Sequence, residues 1–431
     1  MHAPAVSDVE RAPREALRAL QLERLRALVA RLLAAVPVAR DRLHAAGVRS
    51  ADDVAGLDDL GRLPFSTKAD LREHYPFGLL AVPREELVRV HASSGTGGKA
   101  TVVGYTRGDL ETWTDVMARC LATAGVRAGM LVHNANGYGL FTGGLGFHQG
   151  AERLGATVVP VSGGFTERQV TLLLDLRAQV LLATPSYALH IGQALAERGV
   201  GPDELALEVG VFGGEAWTPA MGAAIERALG LDAVNMYGLS EIIGPGVAVQ
   251  CREVRAGSHV NEDHFLAEVV DPETGEPLPD GAEGELVFST LTKEALPLLR
   301  YRTGDIASLD SAPCPCGRTL ARMSTVRGRR DDMLIIRGVN LYPSEIEHTL
   351  LHVEGIAPHY QLVIERPGAL DELTVHCEPA GDGLDAADLR ARAASALRER
   401  TGITIAVELL APGAVPRSEG KAVRVVDRRP R

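Results

Sequence analysis

The chain has 431 residues, 45% of them hydrophobic, and carries 45 Lys and Arg against 56 Asp and Glu, a formal net charge of −11. At roughly 100–200 residues per folded unit this length calls for two or more units, and the apolar content excludes wholesale disorder. The acidic balance argues against non-specific nucleic-acid binding, and no run of about 18 apolar residues exists to span a membrane.

The elements follow in chain order. Leu17, Leu20, Leu25, Leu28 and Leu32 recur at helical spacing between Pro13 and Pro37, with Arg and Glu between them. This predicts an amphipathic helix packed on a globular body. Asp8, Glu10 and Glu15 interrupt any apolar run, so no secretory leader is expected and the cytoplasm is the expected compartment. Ser93-Ser94-Gly95-Thr96-Gly97-Gly98-Lys99 combines hydroxyls, glycine N–H groups and a cation, the makings of a phosphate cradle. It is not a Walker A loop, because Lys99 is followed by Ala100 and a strand-like Thr101–Tyr105 rather than by a helix.

Between residues 128 and 250 short apolar runs alternate with helical stretches. Thr157–Val161, Val180–Ala183, Val209–Phe212 and Ala233–Met236 read as buried strands. Gln169–Leu176, Tyr187–Arg198 and Ala220–Leu229 read as the helices between them. The alternation predicts a mostly parallel α/β sheet. Gly144-Leu145-Gly146 resembles part of a dinucleotide fingerprint, but the third glycine, Gly150, comes one residue late, so that site is not expected. Phe265–Val270 and Gly284–Thr290, joined by a Pro- and Gly-rich turn region, predict antiparallel β structure. The tail predicts a small α+β unit on a hinge: strands at Met333–Ile336, Gln361–Glu365, Leu373–Glu378 and Ile403–Leu410, and a helix at Ala386–Arg400. Ser344 and Glu347 predict a further helix, capped at Ser344.

Chemistry gathers after the predicted strands. Thr184-Pro185-Ser186, Gly213-Gly214-Glu215 and Tyr237-Gly238-Leu239-Ser240-Glu241 each follow one. In open α/β sheets ligands sit beyond the carboxyl ends of strands, so three such turns in series predict a ligand crevice. The cysteines are five, Cys120, Cys251, Cys314, Cys316 and Cys377, too few and too odd in number for a disulfide framework. Cys314-Pro315-Cys316 places two thiols in a tight turn, with Cys251 and His259 upstream; three Cys and one His form a structural zinc set, and His264 competes with His259 for the fourth place.

Five motifs, in this order, resemble the adenylate-forming superfamily: S-S-G-T-G-G-K at 93–99, Y-G-L-S-E at 237–241, Y-R-T-G-D at 301–305, G-R-R-D-D-M-L-I-I-R-G-V-N at 328–340 and R-S-E-G-K-A at 417–422. Y-G-L-F-T-G-G-L-G at 138–146, L-T-K-E-A-L-P at 291–297 and D-D-M-L-I-I-R-G-V-N-L-Y-P-S at 331–344 narrow the likeness to the phenylacetate–CoA ligase family. The likeness runs over about residues 60–425. It implies activation of a carboxylic acid by Mg·ATP as an acyl-adenylate, then transfer to the CoA thiol with release of AMP. It also implies a large unit, residues 1–330, and a small mobile unit, residues 331–431.

The resemblance assigns roles. Ser94, Gly95, Thr96 and Lys99 would grip the phosphates. Gly213, Gly214, Glu215, Tyr237 and Gly238 would line the adenine slot, Ser240 would contact phosphate and Glu241 would hold Mg²⁺. Asp305 would accept the ribose hydroxyls, supported by Arg329. Lys421 would bridge the substrate carboxylate and the α-phosphate, Asp331 would be the hinge, and Gly338 would face the acyl site in the thioester-forming pose. Asn136, Tyr138, Phe141, Phe147, Gly214, Gly238 and Gly338 would wall the acid. Two departures stand out: Gly98 and Ala100 replace the usual Thr and Pro, and Phe147-His148-Gln149 alters the acid wall. A larger Phe147, with Asn136 or Gln149 free to bond a ring substituent, favours an amino- or hydroxybenzoate of anthranilate type, with phenylacetate the chief alternative. The acceptor reads equally as CoA or a carrier protein's phosphopantetheine, which is the same thiol arm. A homodimer and a non-catalytic nucleotide-binding protein are the remaining alternatives.

Overall fold

The computed structural model of the chain describes residues 7–93, 100–337, 339–367, 371–381 and 383–429. Helix α1 (Arg14–Ala35) buries Leu17, Gln21, Leu25, Leu28, Val29 and Leu32 along one face, and Pro37 opens α2 (Pro37–Ala45). After α3 (Lys68–Glu73), strands β1 (Arg89–Ala92) and β2 (Val102–Tyr105) pair antiparallel on either side of residues 94–99. Helix α4 (Arg107–Thr123) starts at Thr106, whose hydroxyl accepts from Asp109 N at 3.0 Å while Asp109 accepts from Thr106 N. That reciprocal pair satisfies two of the helix's free N–H groups.

The alternating region follows: β3 (Leu131–Asn134), α5 (Gly143–Leu154), β4 (Thr157–Val159), α6 (Thr166–Leu176), β5 (Val180–Ala183), α7 (Pro185–Glu197), β6 (Val209–Gly213), α8 (Pro219–Leu229) and β7 (Asp232–Leu239). The chain then runs through β8 (Gly244–Gln250), β9 (Ser258–Val260), β10 (Phe265–Val270), β11 (Gly284–Thr290), β12 (Tyr301–Ala307), β13 (Leu309–Asp310), β14 (Arg322–Met323) and β15 (Gly328–Arg329). The main sheet has the order 13-14-9-8-7-6-5-3-4 among the described residues. It is mixed: β4, β3, β5, β6 and β7 are parallel, as the strand–helix alternation predicts, and antiparallel β8, β9, β14 and β13 extend it. Strands β10, β11, β12 and β15 form the expected antiparallel sheet.

The pleat places the sheet between two cores. Val180 and Leu182 of β5 join the core with Trp113 and Met117 of α4, whereas Leu181 and Ala183 join the core of α7 and α8. That is the two-residue period of a strand buried on both faces. Helix α5 lies very close to α4: a Cβ on Gly150 would sit 2.4 Å from the Met117 Cβ. A Cβ on Gly146 would lie 2.6 Å from the Trp113 ring, so these glycines serve helix packing and not a dinucleotide.

The small C-terminal unit has β16 (Leu334–Ile336), β17 (Val339–Leu341), α9 (Pro343–Leu351), β18 (Ile356–Glu365), β19 (Glu372–Pro379), α10 (Ala386–Thr401), β20 (Ala406–Leu409) and β21 (Val425–Asp427). Its sheet has the order 20-19-18-21 and a core of its own from Ile336 to Val407. Two sequence readings are corrected. β4 stops at Val159. The cap of α9 is Tyr342, backed by Glu345, not Ser344 backed by Glu347. Pro343 takes the first helical position, where its missing N–H costs nothing. Ser344 instead bonds the Arg327 carbonyl, and Glu347 accepts from Thr218 N at 3.2 Å and Tyr360 OH at 2.9 Å, tying the two units together.

One buried ion pair locks α4 to the turn after β9. Arg119 donates to both Asp263 oxygens, at 2.7 and 3.0 Å, with both side chains over nine-tenths buried. Burial pushes the Asp263 carboxyl up, but its His264 and Arg119 bonds outweigh that and hold it well below the usual carboxylate range. A depressed folded value means this stability is present at neutral pH and is lost as pH falls through the carboxylate range. Asp263→Ala is therefore expected to cost about 3–5 kcal/mol at pH 7 by stranding a buried cation. Urea melts at pH 7 and in acid check this: the gap to the parent narrows in acid, and an equal gap at both pH values would contradict it.

Candidate active site

The carboxyl ends of β5, β6 and β7 lie side by side, with Gly213 in register with Met236. Three of the residues expected to hold a nucleotide meet at this edge. Tyr237 OH donates to Asp305 Oδ2 at 2.5 Å, and Arg329 Nε lies 3.5 Å from Asp305 Oδ1. Strand pairing explains the last contact, because Asp305 of β12 stands opposite Arg329 of β15. Burial, then the neighbouring Asp305 carboxylate, pushes the Tyr237 phenol far up, so it remains a donor. A buried, acceptor-only carboxylate between a phenol and a guanidinium suits a pair of sugar hydroxyls.

Ser240 Oγ lies 3.3 Å from Thr142 Oγ1, and Glu241 is buried. Lys293, which the sequence reading left without a role, holds this turn. Its ammonium donates to the carbonyls of Glu241 at 3.2 Å and Ile242 at 2.9 Å, and stands 4.8 Å from the Tyr105 ring centroid. Burial pushes it down to about 8. Its place in L-T-K-E-A-L-P was the available signal. Asp109 of the α4 cap fixes that same segment by accepting from Glu294 N and Ala295 N.

Glu215 does not present a free carboxylate. It accepts from Ser186 Oγ at 2.5 Å and from Ala422 N at 2.8 Å, so it reaches the loop of Lys421. Burial pushes its carboxyl up. Lys421 itself is exposed. Two glycines here are demanded by backbone crowding: a Cβ on Gly213 would lie 2.4 Å from Met236 O, and one on Gly238 2.1 Å from Gly244 O. Gly214, at φ +86°, has room and needs glycine for its conformation.

Among the residues expected to wall the acid, Asn136 donates its amide to Asn134 Oδ1 at 3.1 Å. Tyr138 OH accepts from Asn134 and lies 3.0 Å from His148 Nδ1. Phe141 is exposed, whereas Phe147 is buried in the main core. Gln149 accepts from Arg89 at 3.0 Å. Asp331 lies in the turn Arg330–Asp332 between β15 and β16. Ser94, Gly95, Thr96, Lys99 and Gly338 lie outside the described residues.

Cys251, His259, Cys314 and Cys316 are all buried, with donor atoms within 4.8 Å of one another. Cys251 Sγ is 3.9 Å from Cys314 Sγ, and Cys316 Sγ is 3.5 Å from His259 Nε2. Ligands at zinc's bond lengths on a tetrahedron lie about 3.5–3.8 Å apart. His259 Nδ1 faces the Leu320 carbonyl at 3.3 Å, which leaves Nε2 for the cluster. His264 is engaged elsewhere, with Thr292 and Asp263. Cys120 and Cys377 are buried thiols, each pushed up to about 12 by desolvation.

Residues 140–292 match the AMP-binding enzyme family model, and residues 338–429 match that of the AMP-binding enzyme C-terminal domain. A phenylacetate-coenzyme A ligase of Thermus thermophilus is 55% identical over 98% of this chain and 99% of its own. One of Aromatoleum evansii is 50% identical over 98% of this chain and 97% of its own. The crystal structure of 2-hydroxyisobutyryl-CoA ligase in its postadenylation state matches with a TM-score of 0.92 at 31% identity, covering 98% of this chain and 93% of that one. The same ligase in its thioesterification state matches at 0.73 and 31% identity, covering 99% and 94%. No helix of the chain is long and apolar enough to cross a membrane among the described residues. The two-unit architecture and relatives of this identity over nearly the whole length place the chain in the phenylacetate–CoA ligase family of AMP-binding acid–thiol ligases.

Proposed function

We propose that the chain joins phenylacetate to CoA at the expense of ATP, in two steps at one site. In the first, a carboxylate oxygen attacks the α-phosphorus of ATP, the acyl–O–P bond forms and pyrophosphate leaves. In the second, the CoA sulfur attacks the acyl carbon, the acyl C–O bond breaks, AMP leaves and the thiol proton passes to solvent. The first step presses one anion on another, so it needs cations and N–H donors set around the phosphates.

The reading is carried by the binding of the Lys421 loop to Glu215 at the edge that also holds Tyr237, Asp305 and Arg329. There the lysine ammonium balances charge between carboxylate and α-phosphate, Asp305 accepts the ribose hydroxyls, and Ser94, Gly95, Thr96, Lys99 and Ser240 hold the phosphates. Gly213, Gly214, Tyr237 and Gly238 line the base. Glu241, a buried carboxylate at the phosphate end, would hold Mg²⁺, which screens the triphosphate when bound. Residues 1–330 carry the substrates, residues 331–431 carry Lys421, Asp331 is the hinge, and Gly338 is the glycine assigned to the acyl site in the thioester-forming pose. Cys251, His259, Cys314 and Cys316 fit a structural Zn²⁺ that cross-links their segments when bound.

Phenylacetate is supported by the Thermus relative, by Asn136 spending its amide on Asn134 and by Gln149 spending its Oε1 on Arg89. One observation favours a substituted benzoate of anthranilate type: the buried Gln149 Nε2 has no hydrogen-bond partner. Incubation with Mg·ATP and a panel of aryl acids, with and without CoA, followed by mass spectrometry, tests the reading. Phenylacetyl-CoA and AMP are the expected products. A higher kcat/KM for a substituted benzoate would establish the second reading. An adenylate that CoA leaves untouched would point to a carrier-protein thiol, and no adenylate from any acid would overturn the proposal.

A further inference from the structure

The segment carrying Lys421 is gripped on both sides by the large unit. Thr184 Oγ1 donates to the Gly420 carbonyl at 2.8 Å, and Ala422 N donates to Glu215 Oε1 at 2.8 Å. The peptide groups flanking the lysine are thus each bonded to a side chain at the carboxyl end of β5 or β6. A third contact extends the grip: Arg424 donates to Ser186 Oγ at 3.0 Å, and Ser186 donates onward to Glu215 Oε2 at 2.5 Å. Two residues before Lys421, the Gly163-Gly164 turn leaves room for Glu419, whose Oε2 would lie 3.1 Å from a Cβ on Gly164.

Ser186 is the hub of this chain. Its single proton goes to Glu215, and its lone pair takes the guanidinium proton. Thr184 has a second duty as the cap of α7, accepting from Tyr187 N at 3.4 Å. Arg424 also stacks on Tyr360, with its guanidinium carbon 4.6 Å from the ring centroid, so its stem is held by its own unit. The Thr184–Gly420, Glu215–Ala422 and Ser186–Arg424 contacts join the two units, and they exist in an arrangement close to the postadenylation state of 2-hydroxyisobutyryl-CoA ligase and different from its thioesterification state.

We propose that Thr184, Ser186 and Arg424 are positioning residues that act through Lys421: they latch its loop to the ends of β5 and β6 for adenylate formation, and their bonds are absent while the thioester is made. The inference rests on the two-step reading given above. A residue that merely stabilised the fold would affect both steps alike. A latch serving one pose affects one step.

The test separates the half-reactions. Adenylate formation is followed by pyrophosphate release without CoA, and acyl transfer by supplying the purified acyl-adenylate together with CoA. Arg424→Met keeps an apolar stem over Tyr360 and removes the bond to Ser186. It is expected to slow adenylate formation about 3–10-fold, the worth of one net hydrogen bond, and to leave transfer unchanged. Ser186→Ala slows adenylate formation by a similar factor. The double variant is no slower than the slower single variant, because both break one chain of contacts. Equal slowing of both half-reactions by Arg424→Met, or multiplied effects in the double variant, would overturn the latch. Parent enzyme that forms no adenylate would instead overturn the two-step reading, so the two failures are distinct.

Discussion

Lys421→Ala is expected to lower adenylate formation by about 10²–10³-fold, the scale seen when one preorganised charge-stabilising donor is removed. The lysine side chain is exposed, so folding and ATP binding stay intact, and thermal melts with and without ATP verify that. The size follows from what the ammonium does. Between two anions, a cation placed before the reaction lowers the barrier without reorganising at the moment of bond formation. The backbone on either side is fixed by Thr184 and Glu215, so that placement is built in. Lys421→Arg restores little, because a planar guanidinium cannot stand in for a compact charge on a flexible stem. Unchanged turnover in Lys421→Ala would remove the lysine from the mechanism.

Metal analysis of the protein as purified is expected to give about one zinc per chain, and Cys316→Ser is expected to lower stability by more than about 4 kcal/mol, among the largest single-residue effects. Cys316 is central because it meets His259 within the cluster and accepts from Arg318 outside it, at 3.6 Å. Arg318 in turn donates to Glu10 at 2.8 Å, with both side chains about 1% exposed. Losing the thiolate therefore releases a metal and takes an acceptor from the buried Arg318. A metal content below about half an equivalent, with a melt unmoved by chelator, would show that the four donors stand as reduced thiols and a core histidine.

What could be read from the sequence was set by how plainly each element carries its pattern. Strands β5, β6 and β7 are nearly pure apolar runs, and the residues after them mark the ligand edge directly. Strand β3, central between β4 and β5, escaped notice because it ends in His133 and Asn134. These polar groups find partners inside, His133 Nε2 with Gln169 at 2.5 Å and the Asn134 amide with Tyr138 and Gly144, so a buried strand can carry them. Helix α5 was hidden by Gly143, Gly144, Gly146 and Gly150, all poor helix formers; α4 passes too close to Gly146 and Gly150 for a side chain, and the Gly137 carbonyl crowds Gly144. The motifs identified Glu215, Tyr237, Asp305 and Lys421. They did not reveal the Ser186–Glu215–Ala422 contact, which joins residues over two hundred positions apart in the chain. Lys293 was passed over for the same reason: its partners, Glu241 and Ile242, are backbone carbonyls that no motif records.

The pairing of Glu10 with Arg318 bridges 308 residues. The turn at Asp8–Arg11 takes its seat through Thr319 N on Glu10 O and Thr319 Oγ1 on Ala12 O as well. None of these partners exists until the cysteine knuckle has been synthesised. At about 5–20 residues per second, the amino-terminal turn waits roughly 15–60 s on the ribosome before its berth is made. The seat of the first described turn is thus complete only once the knuckle is made, and the knuckle acts as the clasp that holds this turn to the large unit.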